Sequence, residues 1–235
     1  SAESFQQLST DKTSGSSEEK GGEPAYFEND LIAVTLSSKS GAIEEWKLKK
    51  YFNQSGPSGK NIDMVWGKEW QRYPLSIHFD SEILEKAAQG TYQLTTRKEE
   101  NRFQFQSIQN DVRVTKEYTF YPHEYSCDFK LKIEAPQQIL SEKHSVLFSI
   151  HQYLSAEKYK LFQGESESDN FLLTYTGEKL NRRQLKQLSP AKEQTVVDWI
   201  AFDTRYFLAS LVNRDKLKPF VFTDREEELG RAGLV

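Results

Sequence analysis

The sequence predicts an all-β fold: an antiparallel sandwich with little helix. Three observations predict it. Apolar residues recur with a period of two from Ala25 onward, turn residues interrupt that alternation at short intervals, and bulky aromatics are plentiful, with 15 Phe, 11 Tyr and 4 Trp in 235 residues. Alternation puts every second side chain on one face, so each strand has a buried side and a wetted side. Close-set turns leave little room for the crossover helices that a parallel sheet requires.

In chain order, residues 1–24 read as a flexible linker. They are rich in Ser, Gly and Glu and carry five acids against two bases, a net of −3 out of the chain's −4. So few large apolar residues cannot offset the entropy of ordering the segment. Residues 25–235 then form the sandwich domain. Ile32, Val34 and Leu36 make the first alternating run, and Ser40-Gly41 the corner that turns it back toward Trp46 and Leu48, because Gly accepts positive φ without steric cost. Phe103 and Phe105 mark another strand. Val112, Val114, Lys116, Tyr118 and Phe120 share one face of the next, and Phe129, Leu131 and Ile133 one face of its successor. Turns are expected at 54–60, 99–101, 109–111, 121–123 and 136–137. Val196–Val212 is apolar on both faces and reads as two successive strands in the middle of the fold, with Trp199, Ala201, Phe207 and Leu211 facing one way and Ile200, Phe202, Tyr206 and Leu208 the other.

Composition excludes some functions. A pI near 5.7 argues against nucleic acid, whose binders present a strongly basic face. No apolar run approaches the roughly 18 residues of a membrane span, and the polar N-terminal run does not have the make-up of a signal peptide. Cys127 is the single cysteine and admits no internal disulfide. His78, His123, His144 and His151 are scattered without the tight spacing of a zinc motif; His144 and His151, seven apart, fall on opposite faces if one strand holds both. No nucleophile elbow and no glycine-rich phosphate loop occurs. Glu44-Glu45, Glu99-Glu100 and Glu226–Glu228 read as surface runs. The expectation is therefore no catalytic residue, no cofactor and no metal.

Two clusters admit a binding reading. Trp66, Trp70 and Tyr73, with Arg72, resemble the stacking equipment of a sugar or peptide site; the alternative is that these rings fill a β core. Residues 178–192 carry five bases and one acid. Arg182, Arg183 and Lys186 could face anionic lipid from a short amphipathic helix, but Leu180, Leu185 and Leu188 fit one helical face poorly. A solvated connection with its leucines tucked onto the sandwich is the expected arrangement.

Three stretches carry more than composition: Glu28–Tyr51, Val112–Phe120 and Asp198–Val212. In this order and spacing they resemble the large periplasmic domain of Gram-negative insertases of the YidC/Oxa/Alb family, over roughly residues 25–215. The basic segment ending at Lys192 falls where that family carries a variable insertion. Gly41, Trp46, Tyr118, Phe120, Trp199, Tyr206 and Phe207 are the structural signature, with Trp199, Tyr206 and Phe207 expected in the core. The resemblance implies a twisted β-supersandwich similar to galactose-mutarotase-type sugar-binding domains, placed after a first transmembrane helix on the periplasmic face of the inner membrane. It implies further strands and an amphipathic helix after the Tyr-Phe-rich strand, so closure of the sandwich within 235 residues is left open. It also implies a non-catalytic role, with the Sec translocon and its accessory subunits or nascent membrane proteins as partners. A carbohydrate-binding or carbohydrate-active sandwich is the competing reading.

Overall fold

The structure, a computed structural model, describes residues 24–53, 59–98, 101–153, 170–185, 191–192, 196–204, 206–224 and 229–234. The expected linker, residues 1–24, lies almost entirely outside the described residues. Among those residues the architecture is strands and two short helices, and every strand pairing is antiparallel.

Four sheets result. The first has the order β1-β2-β3-β4, from Ala25–Glu28 (β1), Ile32–Leu36 (β2), Ile43–Phe52 (β3) and Asn61–Asp63 (β4). The second, β6-β7-β8-β9, is a meander of Gln93–Lys98 (β6), Arg102–Gln109 (β7), Val112–Phe120 (β8) and Cys127–Glu134 (β9). The third, β12-β11-β14-β15, uses Phe171–Tyr175 (β11), Leu180–Gln184 (β12), Trp199–Asp203 (β14) and Leu208–Val212 (β15). The fourth, β13-β16-β17-β10-β5, joins Ser76–Phe79 (β5), Val146–Tyr153 (β10), Ala191–Lys192 (β13), Pro219–Asp224 (β16) and Leu229–Leu234 (β17). Helix α1 spans Glu82–Ala88 and α2 Gln137–Leu140.

The alternating runs become the inner faces of two cores. Ile32, Val34 and Leu36 pack with Phe103, Phe105, Val112, Val114, Tyr118 and Phe120 in the first. Their register is the expected one: Ile32 pairs with Leu48 and Val34 with Trp46. Rings stitch the first two sheets together, with Phe27 stacked on Phe120 at 4.6 Å and Trp46 tilted against Phe120 at 5.9 Å; within the second sheet Tyr118 tilts against its strand partner Phe129 at 5.0 Å. Gly41 sits at φ 57°, and the Tyr118 hydroxyl donates to its carbonyl at 2.8 Å. A Cβ at Gly41 would come within 3.2 Å of Phe105 Cβ and the Tyr92 ring. The second core gathers Ile150, Leu172, Ile200, Phe202, Leu211, Ala232 and Leu234 around Trp66. Met64 and Leu75 touch both cores.

Some expectations need correction. Residues 196–212 do form two strands, but not in the middle of the fold: β15 is a sheet edge. The turn between the strands resets the alternation, so Leu211 pairs with Ile200 and shares its inner face, whereas Leu208 is half exposed. Of the three signature aromatics expected in the core, Tyr206 is exposed, Phe207 packs at the margin of the first core, and Trp199 is partly exposed, stacked on Tyr175 at 5.6 Å. The buried residues of β14 are its middle three, Ile200, Ala201 and Phe202. The basic segment contains a strand, β12, rather than only a connection; Leu185 is buried, Leu180 is exposed, and Leu188 lies outside the described residues. His144 precedes β10 and meets the Ile139 carbonyl at 2.7 Å, so it shares no strand with His151. After the Tyr-Phe-rich hairpin, residues 219–234 supply two more strands, and β17 is held on both sides by β16 and β10.

Candidate functional site

The segment carrying Trp66, Trp70, Arg72 and Tyr73 reverses sharply. Gly67 at φ 116° and Gln71 at φ 56° bracket a 3-10 turn over Lys68–Trp70. The reversal sends the rings apart. Trp66 is 2% exposed and, like Trp70, packs into the second core, whereas Tyr73 packs on the first. Trp66 offers no ring face to solvent for stacking. Its indole N–H has no hydrogen-bond acceptor.

Beside Arg72 and Tyr73 lies a polar cluster. Strand register builds it. Ser76 pairs with Ser149 and His78 with Leu147 across β5 and β10, and His151 pairs with Arg231 across β10 and β17. Alternate positions share a face, so Ser76, His78, Ser149, His151 and Arg231 stand together, opposite the face of Ile77, Phe148, Ile150 and Ala232. Burial pushes the His151 imidazole well below its ordinary range, and the nearby Arg231, Arg72 and His78 reinforce that direction. Neither of its ring nitrogens makes a hydrogen bond; the Tyr73 carbonyl only weakly favours its protonation. His78 is lowered too, first by burial, against the pull of Glu85 at 3.0 Å.

Glu85 is the one carboxylate paired to this cluster among the described residues. It accepts from the Phe79 N–H at 2.7 Å and from Gln89 Nε2 at 3.1 Å, so it ties α1 to β5. It also favours the ammonium of Lys116, whose Nζ donates to the Ser40 carbonyl at 3.0 Å and lies 4.2 Å from the centre of the Tyr92 ring. Burial pulls Lys116 down to about 7. Among the described residues the cluster is two neutral-leaning imidazoles flanked by guanidiniums, with the Glu85 carboxylate engaged by His78, the Phe79 N–H and Gln89.

The remaining candidates have structural duties. Arg182 reaches Asp203 at 3.3 Å and covers the Phe171 ring at 3.6 Å, Arg183 is half-buried, and Lys186 lies outside the described residues. Burial pushes the Cys127 thiol up to about 12, away from the reactive thiolate. His123 is exposed beside Asp30 at 3.0 Å. No group of three or more His, Cys, Asp or Glu among the described residues could hold a metal, and no helix of the described residues is long and apolar enough to cross a membrane. Sequence reading missed His78, His151, Arg231 and Lys116. Only Lys116 carried a signal: it occupies an inner-face position in the run Val112–Phe120.

Comparison with known proteins fits this architecture. The family model described as the YidC periplasmic domain matches residues 25–235. A membrane protein insertase YidC from Syntrophus aciditrophicus is 24% identical over 77% of this chain and 34% of its own length. A second, from Geobacter sulfurreducens, is 26% identical over 80% of this chain and 35% of its own. The chain thus spans about a third of the length of these relatives. A crystal structure of a galactose mutarotase-like protein from Lactobacillus casei shares the fold, with a TM-score of 0.60 at 10% identity, covering 90% of this chain and 87% of that one.

Proposed function

We propose that this chain, which belongs to the YidC periplasmic-domain family, serves as a non-catalytic interaction module of a membrane-protein insertase. On this reading it stands on the periplasmic face of the inner membrane and offers a surface to translocating chains, nascent membrane proteins or the Sec translocon and its accessory subunits. The observation that carries the reading is the family match over residues 25–235. Its side chains support it: the carboxylate at the buried cluster is committed to α1, the thiol is held protonated, and the aromatics mostly fill cores. The test is photo-crosslinking in the intact membrane protein from exposed positions such as Tyr51, Ile108 and Leu180. Capture of translocating chains or Sec subunits is expected. Capture from the membrane-embedded part alone, with none from this domain, would sink the proposal.

A second reading, carbohydrate binding, is favoured by one observation: the buried His151 and Arg231 cluster with the partly buried His78 and Arg72 beside Tyr73 in a mutarotase-like fold. Titration with common hexoses, followed by tryptophan fluorescence and by anomer exchange, separates the two. Saturable binding lost on His151→Gln would favour the sugar.

A further inference from the structure

Resting on the interaction role proposed above, we infer that the edge of β15, unpaired among the described residues, is where the domain captures a partner: an extended polypeptide segment with apolar residues at alternate positions, added as an extra strand.

The hydrogen-bond register exposes that edge. The β14–β15 ladder is set at its turn by Thr204 N–H to Phe207 O, 2.8 Å, and at its far end by Asn213 N–H to Asp198 O, 2.7 Å. Bonded pairs alternate in an antiparallel ladder, so Ala209 and Leu211 bond to β14. Leu208, Ser210 and Val212 turn their N–H and C=O groups outward. Their side chains also leave the core: Leu208 is 50% and Val212 66% exposed. The edge continues into an aromatic corner, where Phe207 meets Tyr51 edge-on at 5.4 Å and Tyr125 lies within reach of Tyr51.

Other described edges are blunted, as natural sheets require. The outward groups of β5 are capped from α1: Glu85 accepts the Phe79 N–H and Gln89 donates to the Ile77 carbonyl. Charges stand on β1 (Glu28), β4 (Asp63), β9 (Lys130, Lys132) and β12 (Arg182, Arg183), and the sequences of β6 and β13 include Arg97, Lys98 and Lys192. Strand β15, with the sequence LASLV, carries no charge, no proline and no capping side chain among the described residues.

The chemistry selects the occupant. Backbone donors and acceptors at strand spacing are matched by another backbone, and the uncharged row with Leu208 and Val212 flanking Ser210 suits apolar side chains at every second residue. A second copy is disfavoured by size: five residues supply a small part of the ~800 Å² per partner of a stable interface. A weak, sequence-tolerant ladder suits chains in transit.

The test uses the 235-residue chain and a fluorescent ten-residue peptide alternating Val and Thr, with terminal lysines for solubility. Fluorescence anisotropy should show binding. Ser210→Pro removes one outward N–H and leaves the β14 ladder intact, so it should weaken binding at least tenfold with the unfolding midpoint retained. The same peptide N-methylated at alternate residues should also bind at least tenfold more weakly to the unaltered chain, a readout that needs no variant to fold. Equal binding of the N-methylated peptide, or no binding of the parent peptide, overturns the proposal. So does self-association of the unaltered chain that Ser210→Pro abolishes, which would make a second copy the occupant, or peptide binding that appears only when residues 1–24 are removed. Crosslinks to translocating chains that survive Ser210→Pro in the intact membrane protein would refute the edge while leaving the interaction role standing.

Discussion

Replacing Lys116 with methionine probes the least expected feature of the fold: a lysine on the inner face of β8, between Val114 and Tyr118. The side chain is buried, and its affinity for a proton falls from 10.5 to about 7. At ~1.4 kcal/mol per pH unit, the charged form is disfavoured by roughly 4–5 kcal/mol relative to the unfolded chain. The bond to the Ser40 carbonyl and the contact with Tyr92 offset part of the burial cost and are lost in the variant. A hydrogen bond from a charged group is worth about 1.5–3 kcal/mol, and a desolvated cation–π contact about 2. Methionine fills a similar volume without a charge, so at pH 7 the variant should be more stable by about 1–2 kcal/mol, the order seen when buried ions are exchanged for apolar residues. The sign with pH is definite. Between pH 7 and 10.5 the unfolded lysine holds a proton that the folded one has lost, so stability rises with pH by up to ~1.4 kcal/mol per unit. Urea unfolding at pH 7, 8 and 9 should show that slope in the natural chain and a flatter one in Lys116→Met. A methionine variant that is less stable at every pH, with an unchanged slope, would mean that the ammonium is hydrated or paired and the reasoning fails.

Other consequences are separable from this one. His78 and His151 are both lowered by burial, so the unfolded chain binds more protons below about 6.5 and stability should fall as pH drops from there, by up to ~1.4 kcal/mol per unit for each histidine; urea midpoints that stay flat from pH 6.5 to 5 would refute it. Phe202→Ala, in the second core, should cost about 3–5 kcal/mol, whereas Trp199→Ala, which loses a partly exposed stack on Tyr175, should cost about 1–2 kcal/mol on the lower side of measured substitutions; equal losses in chemical denaturation would restore the core reading of Trp199. Gly41→Ala must hold a side chain at φ 57° within 3.2 Å of Phe105 and Tyr92, so a loss of about 2–3 kcal/mol is expected from left-handed strain plus overpacking, and a change under about 0.5 kcal/mol in the unfolding midpoint experiment would show that the corner relaxes freely.

Much of the fold was legible because period-two alternation reports a strand with one wet face. Ile32-Val34-Leu36, Phe103-Phe105 and Val112–Phe120 all turned their apolar positions inward, and Gly41 made the corner. The reading faltered where both faces looked apolar. Residues 196–212 suggested central strands, yet the outer face of β15 is solvent, because an edge strand and a doubly covered strand can share a composition. The phase also slipped at the tight turn, where Thr204 Oγ1 accepts the Phe207 N–H at 3.0 Å and resets which residues face inward. Residue types do not encode such a slip.

The buried polar cluster was illegible for a different reason. His78, His151 and Arg231 are separated by 73 and 80 positions in the sequence, and only the pairing of β5, β10 and β17 gathers them. The register that aligns Ile77, Phe148 and Ile150 on the inner face necessarily sets Ser76, His78, Ser149, His151 and Arg231 on the other. Because the ladder specifies both faces at once, a one-residue slip of β10 against its neighbours would turn Ser149 and His151 into the apolar cores and set Phe148 and Ile150 among the polar groups. The polar face therefore acts as a register lock as well as a candidate site. Its histidines, which stay neutral when buried, are compatible with that lock only above the pH at which they would take up protons.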